Sequence, residues 1–599
     1  MIKHPSRASR KLDKKIAASK KMTARKAVGI FLNGCLIFVL FFTVDQMSPP
    51  RISFSWAEEP PSISDQYQAA IKFSREGNIK ESLPLIESVY QQQPRDPTIV
   101  ADYIVILTWA QQWSRATEIY EQKKELKLPD YVLPEVGRAY RELRDYAKAK
   151  DIYEKYLALH PHDETAQLGL IRTTLASGDY RKAQEHIAML VTDHPDNVRY
   201  QLLKAEFYIE QGQLGEAQKY LLRRLSDQPD NVELQSLLAQ VYLWRGWPRL
   251  ALREFEKIHK QDPARALTNN GYANALNATQ HKKQARDLLR SSLKTDPDMN
   301  LYLKTREEFD LENNGALRSR AYYTREFPGE DEFYLSNSLD QPIDFHHTFF
   351  AEHIRREISQ DPKNTVSQKV YVGDQWVLNE RWKGTAAVSF DPDTGRDLGG
   401  LGKIELTPDD HWFFQASYDP RILNVPLRSQ TAGTEVAEYE FSTKYRLSDL
   451  FFTTMGTNLK DYSDGNENIS YFWYTETGLQ RHGRWKTNLK TELYVSTNSE
   501  QDVPYFSPKY VYSFYLVPEI EHTWFRHNDQ ALVDRISVGP GQLWQKGFGA
   551  NNAGFVRYEQ DYQLSKTTGF LVGTTYSLHN YDGADSNRWN IYSALKIRF

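Results

Sequence analysis

The pattern of hydrophobic and polar residues changes once along the chain, near residue 315. Before that point apolar residues recur every three or four positions, which is the spacing of one face of an α-helix. After it, apolar and polar residues alternate, which is the spacing of a β-strand with one apolar face. The sequence therefore predicts an α+β multidomain protein with its helices first and its strands second.

The helical half is a repeat of 34 residues that occupies residues 62–299 in about seven units. A proline ends each of the last five units: Pro161, Pro195, Pro229, Pro263 and Pro297. Twelve residues before each of these prolines lies an alanine that lets two helices approach closely: Ala149, Ala183, Ala217, Ala251 and Ala285. A glycine ends the first helix of four units, where the chain must turn: Gly77, Gly178, Gly212 and Gly246.

This spacing of glycine, alanine, a large apolar residue and proline resembles the tetratricopeptide repeat (TPR). The resemblance implies a right-handed superhelix with a concave surface that holds a protein partner. The second unit departs from the pattern, with Thr117 at the alanine position and Ala116 beside it. We interpret the five alanines as packing residues without chemistry of their own, and residues 300–315 as a linker.

The second half contains sixteen candidate strands between residues 316 and 599, the thirteenth of which ends near residue 539. The stretch from Trp485 to Val495 is typical, because its charged residues all fall on one face. A soluble β-sandwich would also alternate, but strands of about ten residues or more with aromatic ends favour a membrane. We therefore predict an antiparallel transmembrane β-barrel of about sixteen strands over residues 316–599, wide enough for a water-filled channel.

The composition permits this arrangement and excludes several others. Hydrophobic residues make up 40% of the chain and aromatic residues 13%, so membrane-spanning helices cannot dominate it. A net charge of −3 gives no attraction to nucleic acid. Cys35 is the only cysteine, which excludes a disulfide framework. We find no motif of an enzyme and expect no catalytic residue, cofactor or metal.

The N-terminus has the features of an export signal. Ten Lys and Arg residues in positions 1–26 precede an apolar run from Ala27 to Val44. The small residues Ser55 and Ala57 suit cleavage after Ala57, which predicts a signal peptide over residues 1–57. Two alternatives stay open: the apolar run is retained as a membrane anchor, or the sequence from Leu32 to Cys35 is a lipoprotein box.

The chain ends in an alternating strand whose last residue is Phe599. Such an end resembles the signal by which the barrel-assembly machinery recognises bacterial outer-membrane proteins. The resemblance implies that the barrel lies in outer-membrane lipid and that the repeats stand in the periplasm.

A repeat array followed by a barrel resembles the exopolysaccharide secretion porins, among them those that export poly-β-1,6-N-acetylglucosamine. The segment from Pro504 to Tyr510, PYFSPKY, is similar to the Tyr-Phe-Ser-Pro sequence that opens a strand in these barrels. Cellulose-export subunits are more distantly similar. The resemblance implies export of a partly de-N-acetylated polymer, with a periplasmic deacetylase and an inner-membrane synthase complex as partners.

Charge adds an independent indication, because residues 311–599 contain 38 Asp and Glu against 29 Lys and Arg. An acidic channel would favour a cationic glucosamine polymer over neutral cellulose. Candidate lumen-lining acids are Glu438, Glu440, Glu476, Glu492, Glu519, Glu521, Glu559 and Asp561. Candidate tyrosines that could stack on sugar rings, or simply pack in the barrel, are Tyr474, Tyr494 and Tyr515.

Two local patterns suggest metal ligands, but neither is complete. Residues Asp391–Gly400 resemble a calcium loop, yet they lack the downstream glutamate and predict a hairpin turn instead. His346 and His347 are adjacent on a predicted strand and would point to opposite faces. Two alternative functions stay open: a surface receptor or assembly scaffold of the phage-adsorption type with a plugged lumen, and an inner-membrane protein with a soluble β domain.

Overall fold

The computed structural model describes residues 62–599 except 296–298, 328, 361–362, 394–397, 424, 427–428, 430–432 and 528. The predicted signal peptide, its cleavage position and both of its alternatives lie outside the described residues. In the part of the chain that is described, none of the helices is long and apolar enough to cross a membrane.

Fifteen α-helices precede the strands. They are α1 Ile63–Arg75, α2 Ile79–Gln92, α3 Pro97–Trp109, α4 Trp113–Gln122, α5 Leu133–Glu142, α6 Tyr146–Leu159, α7 Glu164–Ala176, α8 Tyr180–Asp193, α9 Val198–Glu210, α10 Leu214–Asp227, α11 Val232–Trp244, α12 Pro248–Gln261, α13 Ala266–Ala278, α14 Lys282–Thr295 and α15 Asn300–Glu312. The chain divides into two compact units, Met1–Ile106 and Leu107–Phe599. The first contains α1, α2 and most of α3, with Ala70, Ile86 and Val89 fully buried.

The turn inside each helix pair follows directly from the sequence. All four predicted glycines have a positive φ there, between 72° and 85°. The remaining three pairs place a non-glycine residue at the same position with the same sign of φ: Gln111, Arg144 and Gln280. A left-handed residue is thus a property of the turn, and glycine is the residue that adopts it at least cost.

The packing positions lie between the helices of each pair. The five predicted alanines are all fully buried. In the second unit Ala116 is fully buried and Thr117 is nearly so. The Thr117 hydroxyl donates hydrogen bonds to the carbonyls of Trp113 and Ser114, which satisfies it inside the helix.

Residues 300–315 are not the expected linker, because α15 occupies most of this stretch. Tyr302 and Phe309 on α15 are buried against Ala273, Leu276 and Leu289 of the preceding pair. The helix caps the apolar end of the array, as a terminal unit of a repeat protein must.

Sixteen antiparallel strands follow and close into a barrel in which β1 pairs with β16. They are β1 Ala316–Glu326, β2 Glu330–Pro342, β3 His347–Gln360, β4 Lys363–Val377, β5 Trp382–Phe390, β6 Gly399–Leu406, β7 Trp412–Asp419, β8 Val436–Ser448, β9 Phe451–Tyr462, β10 Glu467–His482, β11 Trp485–Asn498, β12 Tyr510–His527, β13 Gln530–Gln545, β14 Gly549–Gln563, β15 Thr568–Tyr581 and β16 Ala584–Arg598. The predicted fold class, TPR helices followed by a sixteen-stranded barrel, is confirmed.

The last residue takes part in closing the barrel. The backbone N–H of Phe599 donates a 3.0 Å hydrogen bond to the carbonyl of Gly315, one residue before β1. The terminal phenylalanine therefore extends the β1–β16 seam by one further pairing, and its ring lies against Gly315.

The barrel register is regular apart from three bulges and one gap. The bulges lie between Arg446 and Ser448, between Gly478 and Gln480, and between Thr523 and Phe525. The gap lies where Pro518 and Pro540 interrupt the pairing of β12 with β13. Because proline has no N–H to donate, two prolines in one gap cost the sheet less than two separate interruptions would. β13 continues through Pro540 to Gln545, six residues beyond its predicted end.

Candidate functional site on the inner barrel wall

The two faces of the barrel have opposite chemistry. On β12 the side chains of Tyr512, Phe514 and Ile520 are exposed, and that of Ile520 is 49% exposed. Glu519, its neighbour on the other face, is 4% exposed. Large apolar side chains outside and buried charges inside are the pattern of a barrel in lipid. The alternative of a soluble β domain is wrong, because the sheet closes and its outer face is apolar.

The register places all eleven candidate residues on the inner face. They are Glu438, Glu440, Glu476, Glu492, Glu519, Glu521, Glu559, Asp561, Tyr474, Tyr494 and Tyr515. This follows because cross-strand partners share a face, and the pairings run unbroken from β8 to β14. Their surroundings differ, however, and those surroundings decide what each residue can bind.

Glu519 is fully occupied by protein groups. Lys490 Nζ lies 2.5 Å from one carboxylate oxygen, and Ser537 Oγ donates to the same oxygen at 2.9 Å. Asn488 Nδ2 donates to the other oxygen at 3.0 Å. A carboxylate with three donors and almost no exposure is a structural group of the wall, and it has no capacity left for a ligand.

Glu521 and Asp561 belong to a second ion-pair network. Glu521 accepts from Lys486 Nζ at 2.7 Å and from Arg535 Nε at 2.9 Å, and Arg535 also lies 3.5 Å from Asp561. This network borders a cavity of about 650 Å³ whose lining also includes Glu308 of α15. The cavity wall is therefore close to neutral at this level.

Four more of the candidate acids have a single polar partner each. Tyr592 donates to Glu559 at 2.7 Å, and Tyr474 donates to Glu476 at 2.8 Å. Lys460 lies 3.6 Å from Glu438, and Gln415 Nε2 donates to Glu440 at 3.4 Å. All four carboxylates keep acceptor positions that face the interior.

Glu492 is different, because among the described residues its carboxylate has neither an ion pair nor a side-chain hydrogen bond. It lies in the middle of β11, paired with Tyr474 of β10 on one side and Tyr515 of β12 on the other. Tyr494 is two residues further along the same face and is 41% exposed. We call these four residues, Tyr474, Glu492, Tyr494 and Tyr515, the Glu492 site.

The Glu492 site has the chemistry of a carbohydrate subsite. Aromatic rings pack against the apolar face of a sugar, and a free carboxylate accepts from hydroxyl or ammonium donors. Cross-strand neighbours have Cβ atoms roughly 4.5–5.5 Å apart, so the two flanking rings and the carboxylate form one continuous patch of wall.

Sequence reasoning missed the residues that hold a chain segment inside the barrel. Arg356 of β3 is 7% exposed and donates to the carbonyls of Leu423 and Val425, in the segment that follows β7. Lys369 of β4 donates to the carbonyl of Arg421 in the same segment. Four strands separate β3 from β7, so this segment lies against the inner wall. No periodicity identifies such contacts, because both partners look like ordinary inward-facing positions.

The PYFSPKY segment supports the same end of the barrel. Tyr505 and Ser507 are buried, and Asn466 Nδ2 lies 3.3 Å from each hydroxyl oxygen. Tyr505 packs with Val425, Val436 and Tyr462 in an apolar cluster. The motif therefore fixes the loop that leads into β12.

No metal site is formed by the residues that the structure describes, since no three His, Cys, Asp or Glu side chains converge. His347 is 2.7 Å from Asp374, and His353 is 2.8 Å from Gln368. His346 is instead 3.1 Å from the carbonyl of Val377. The three histidines thus have three separate partners.

Comparison with known proteins gives matches for both halves. Residues 327–599 match the family model described as the PgaA membrane beta barrel domain, and residues 140–206 and 191–241 match a tetratricopeptide repeat model. Two curated proteins named poly-beta-1,6-N-acetyl-D-glucosamine export protein, from Escherichia coli K12 and O157:H7, are each 26% identical over 372 residues. The aligned region covers 59% of this chain and 44% of each relative, so the chain spans less than half of their length.

Solved structures are similar to each half separately. One described as a bacterial polysaccharide outer membrane secretin has a TM-score of 0.44 and 16% identity, and covers 48% of this chain and 99% of its own. A tetratricopeptide repeat protein from Parabacteroides merdae has a TM-score of 0.33 and 15% identity, and covers 41% of this chain and 97% of its own. The family matches confirm the predicted resemblance and the location of the barrel in the outer membrane.

Proposed function

We propose that this protein is an outer-membrane porin that exports an exopolysaccharide of the partly de-N-acetylated poly-β-1,6-N-acetylglucosamine class. The observation that carries the proposal is the Glu492 site: a carboxylate without a protein partner, between tyrosines, on the inner wall of a membrane barrel. A glucosamine unit offers what this site lacks, namely an ammonium group for the carboxylate and a ring face for the tyrosines.

The charge balance of the wall supports a cationic cargo. The Glu519 and Glu521 networks are neutralised by Lys490, Lys486 and Arg535. Glu492 is not neutralised in this way and lies in a tube with low-dielectric walls, where a fixed charge acts over a longer distance than in water. Its field attracts cations and repels anions, whereas a neutral polymer such as cellulose would gain nothing from it.

The helices supply the binding surface for periplasmic proteins in this proposal. A deacetylase that trims the polymer and a synthase complex that delivers it are the partners that the family resemblance implies. The barrel performs no catalysis and consumes no nucleotide, so the polymer moves because synthesis continues behind it. The barrel-assembly machinery inserts the chain, with Phe599 as the recognised end.

The experiment compares Glu492→Gln with Asp502→Asn in the full chain. Both remove one negative charge, but Asp502 is exposed in the loop before β12. Losing a charge-assisted hydrogen bond weakens binding by roughly tenfold or more. We therefore expect Glu492→Gln to reduce channel block by glucosamine oligomers tenfold, to lower cation selectivity and to reduce polymer at the cell surface. Asp502→Asn should change none of these.

A deletion strain provides the stricter test. Loss of the protein should abolish surface staining for glucosamine polymer and leave polymer in the periplasm. Unchanged extracellular polymer would remove export from consideration.

A surface receptor or assembly scaffold of the phage-adsorption type is the second candidate. The observation that favours it is the segment at Leu423 and Val425 inside the barrel, which occupies part of the lumen. Single-channel recording separates the two, since a plugged scaffold passes no current. Stable conductance in planar bilayers would support the porin.

A further inference from the structure

Seven turns lie at the end of the barrel where the chain enters β1. They connect β2 to β3, β4 to β5, β6 to β7, β8 to β9, β10 to β11, β12 to β13, and β14 to β15. We call them the helix-side rim. The rim and the helices from residue 107 onward belong to one compact unit.

Every turn of the helix-side rim contacts a helical residue. From the β12–β13 turn downward, the contacts are Arg144 with the Arg526 carbonyl, Tyr180 with His482, Arg245 with Asp449, Arg249 with Asp410, His281 with Glu380 and Arg286 with Phe345. The β14–β15 turn is held by Glu307 of α15, 2.6 Å from Lys566 Nζ.

The order of these contacts is regular. As the helical residue numbers rise from 144 to 281, the contacted turns move from β12–β13 to β4–β5. The four repeats between Arg144 and Gln280 therefore span four steps around the rim, or one repeat per hairpin. The positive-φ turn of each repeat, at Arg144, Gly178, Gly212, Gly246 or Gln280, is the part that lies nearest the barrel.

The two structures can fit because their pitches are nearly equal. Neighbouring strands are roughly 4.8 Å apart, so a hairpin occupies about 10 Å across the sheet. Packed helices are roughly 8–10 Å apart, and the first helices of successive repeats, such as α9, α11 and α13, pack directly on one another. One repeat therefore advances about as far as one hairpin.

The three β-bulges of the barrel occur at this rim. Each is followed within two residues by, or begins at, an arginine that meets a repeat: Arg446, Arg481 and Arg526. A Cβ built on Gly246 would lie 2.9 Å from Arg446 Nη1, and one built on Gly212 would lie 3.3 Å from Arg481 Cβ. A bulge bends its strand and redirects the residues beside it. The bulges thus shape β8, β10 and β12 to the repeats.

The tightest contact is a helix cap supplied by the barrel. Helix α12 has Trp247 at its N-cap, and that side chain makes no capping bond. Asp410, from the β6–β7 turn, accepts instead from the backbone N–H groups of Arg249 at 2.8 Å and Leu250 at 2.9 Å. A carboxylate at this position satisfies two free donors and interacts favourably with the helix dipole.

Arg249 completes the attachment by joining two turns. Its guanidinium donates to the carbonyls of Thr407 at 2.8 Å and Asp409 at 3.0 Å, and across to Glu380 in the β4–β5 turn at 2.9 Å. Its side chain is 17% exposed and that of Asp410 is 8% exposed. Such buried, multiply bonded charges hold a fixed geometry, unlike an exposed surface ion pair.

We infer that the helices from Arg144 to Glu307 form a fixed collar on the helix-side rim, seated one repeat per hairpin turn and fastened by Asp410 and Arg249. The array is then a rigid extension of the barrel, whereas mobility is the default for domains joined in one chain. This inference concerns positioning and holds whatever passes through the lumen, so its failure and that of the export proposal are separate results.

Disulfide trapping in the full chain tests the seating and its register. With Cys35→Ser, the pair Gly212→Cys and Arg481→Cys places two Cβ atoms 3.3 Å apart, close to the roughly 3.5–4.5 Å of a disulfide. The control pair is Gly178→Cys and Arg481→Cys. Gly178 has the same strained φ, but a Cβ there meets nothing within 4 Å.

We expect most of the chain to cross-link with the first pair in oxidised outer membranes, and at least tenfold less with the control. Equal yields, no cross-link in either pair of a heat-modifiable barrel, or a higher yield in the control would overturn the inference. Should Gly212→Cys fail to fold, Arg245→Cys with Asp449→Cys and a short bifunctional maleimide replaces it, and absence of that product is equally fatal.

The fastening is tested on the cross-linking pair. Asp410→Ala should lower the cross-linking rate by about fivefold, because α12 loses its cap and Arg249 its partner. Asp179→Ala is the matched control, since Asp179 caps α8 within its own helix by accepting from Lys182 N–H. An equal effect of both variants would show that Asp410 acts on helix stability alone and would contradict the fastening.

Discussion

The buried Lys490–Glu519 pair allows the sharpest prediction about the barrel itself. Replacing Lys490 by methionine keeps the shape of the side chain but leaves the Glu519 carboxylate 4% exposed without its counter-ion. Asn488 and Ser537 still donate to it, but neither carries charge. The nearest alternative for the protein is to protonate Glu519 or to admit water, and both cost free energy.

The magnitude follows from the geometry. At 2.5 Å and an effective dielectric constant near 20, the attraction between the two charges is roughly 7 kcal/mol before desolvation is counted. Removal of one partner from a buried pair typically costs 3–5 kcal/mol. We expect about 3 kcal/mol for Lys490→Met, since one side of the pair, Lys490, is 16% exposed and water already reaches it.

The assay is urea unfolding of the full chain in lipid vesicles, followed by tryptophan fluorescence, for Lys490→Met, Glu519→Gln and the double variant. Glu519→Gln should cost less, because Lys490 keeps Glu476 at 3.9 Å as a second partner. The double variant should recover most of the loss, with a coupling free energy of about 2 kcal/mol. Additive losses, or a Lys490→Met barrel as stable as the parent, would refute the reasoning.

Three further predictions concern other parts of the chain. Arg356→Ala should raise single-channel conductance by releasing the segment at Val425, whereas Arg355→Ala, on the outer face, should not; equal currents contradict the contact. Hydrogen bonds from Lys124, Tyr140 and Lys148 lower the pKa of Glu121 to about 2. Its stabilisation is therefore present above about pH 4.5 and lost as pH falls toward 2. Glu121→Gln should flatten this pH dependence of helix melting by under about 1 kcal/mol. Deleting Phe599 should reduce the heat-modifiable barrel fraction because the bond to Gly315 is lost, while Phe599→Tyr should retain it.

The sequence was sufficient wherever the pattern is local. A 34-residue period determines where helices turn and which alanines are buried, and a period of two determines which side chains share a face. The eleven candidate residues could therefore be assigned to one face before any strand pairing was known. The same reasoning fell short at β13, where Pro540 suggests an end although the proline lies in a gap shared with Pro518.

Which acids stay free was decided only by the tertiary structure. Glu492 and Glu519 have the same residue type, the same period and the same predicted role. Strand register places Lys490, Asn488 and Ser537 around Glu519 and two tyrosines beside Glu492. Register is a contact between distant parts of the chain, and a single sequence contains no periodicity that specifies it.

The sequence by itself determined the elements, their count and their inward and outward faces, because these depend on the conformation of neighbouring residues. The tertiary structure alone decided the pairing of charges across strands, the cap that Asp410 gives to α12 and the conversion of an expected linker into α15. These features depend on groups 30 to 160 residues apart, brought together when the sheet closes and the helices pack on it.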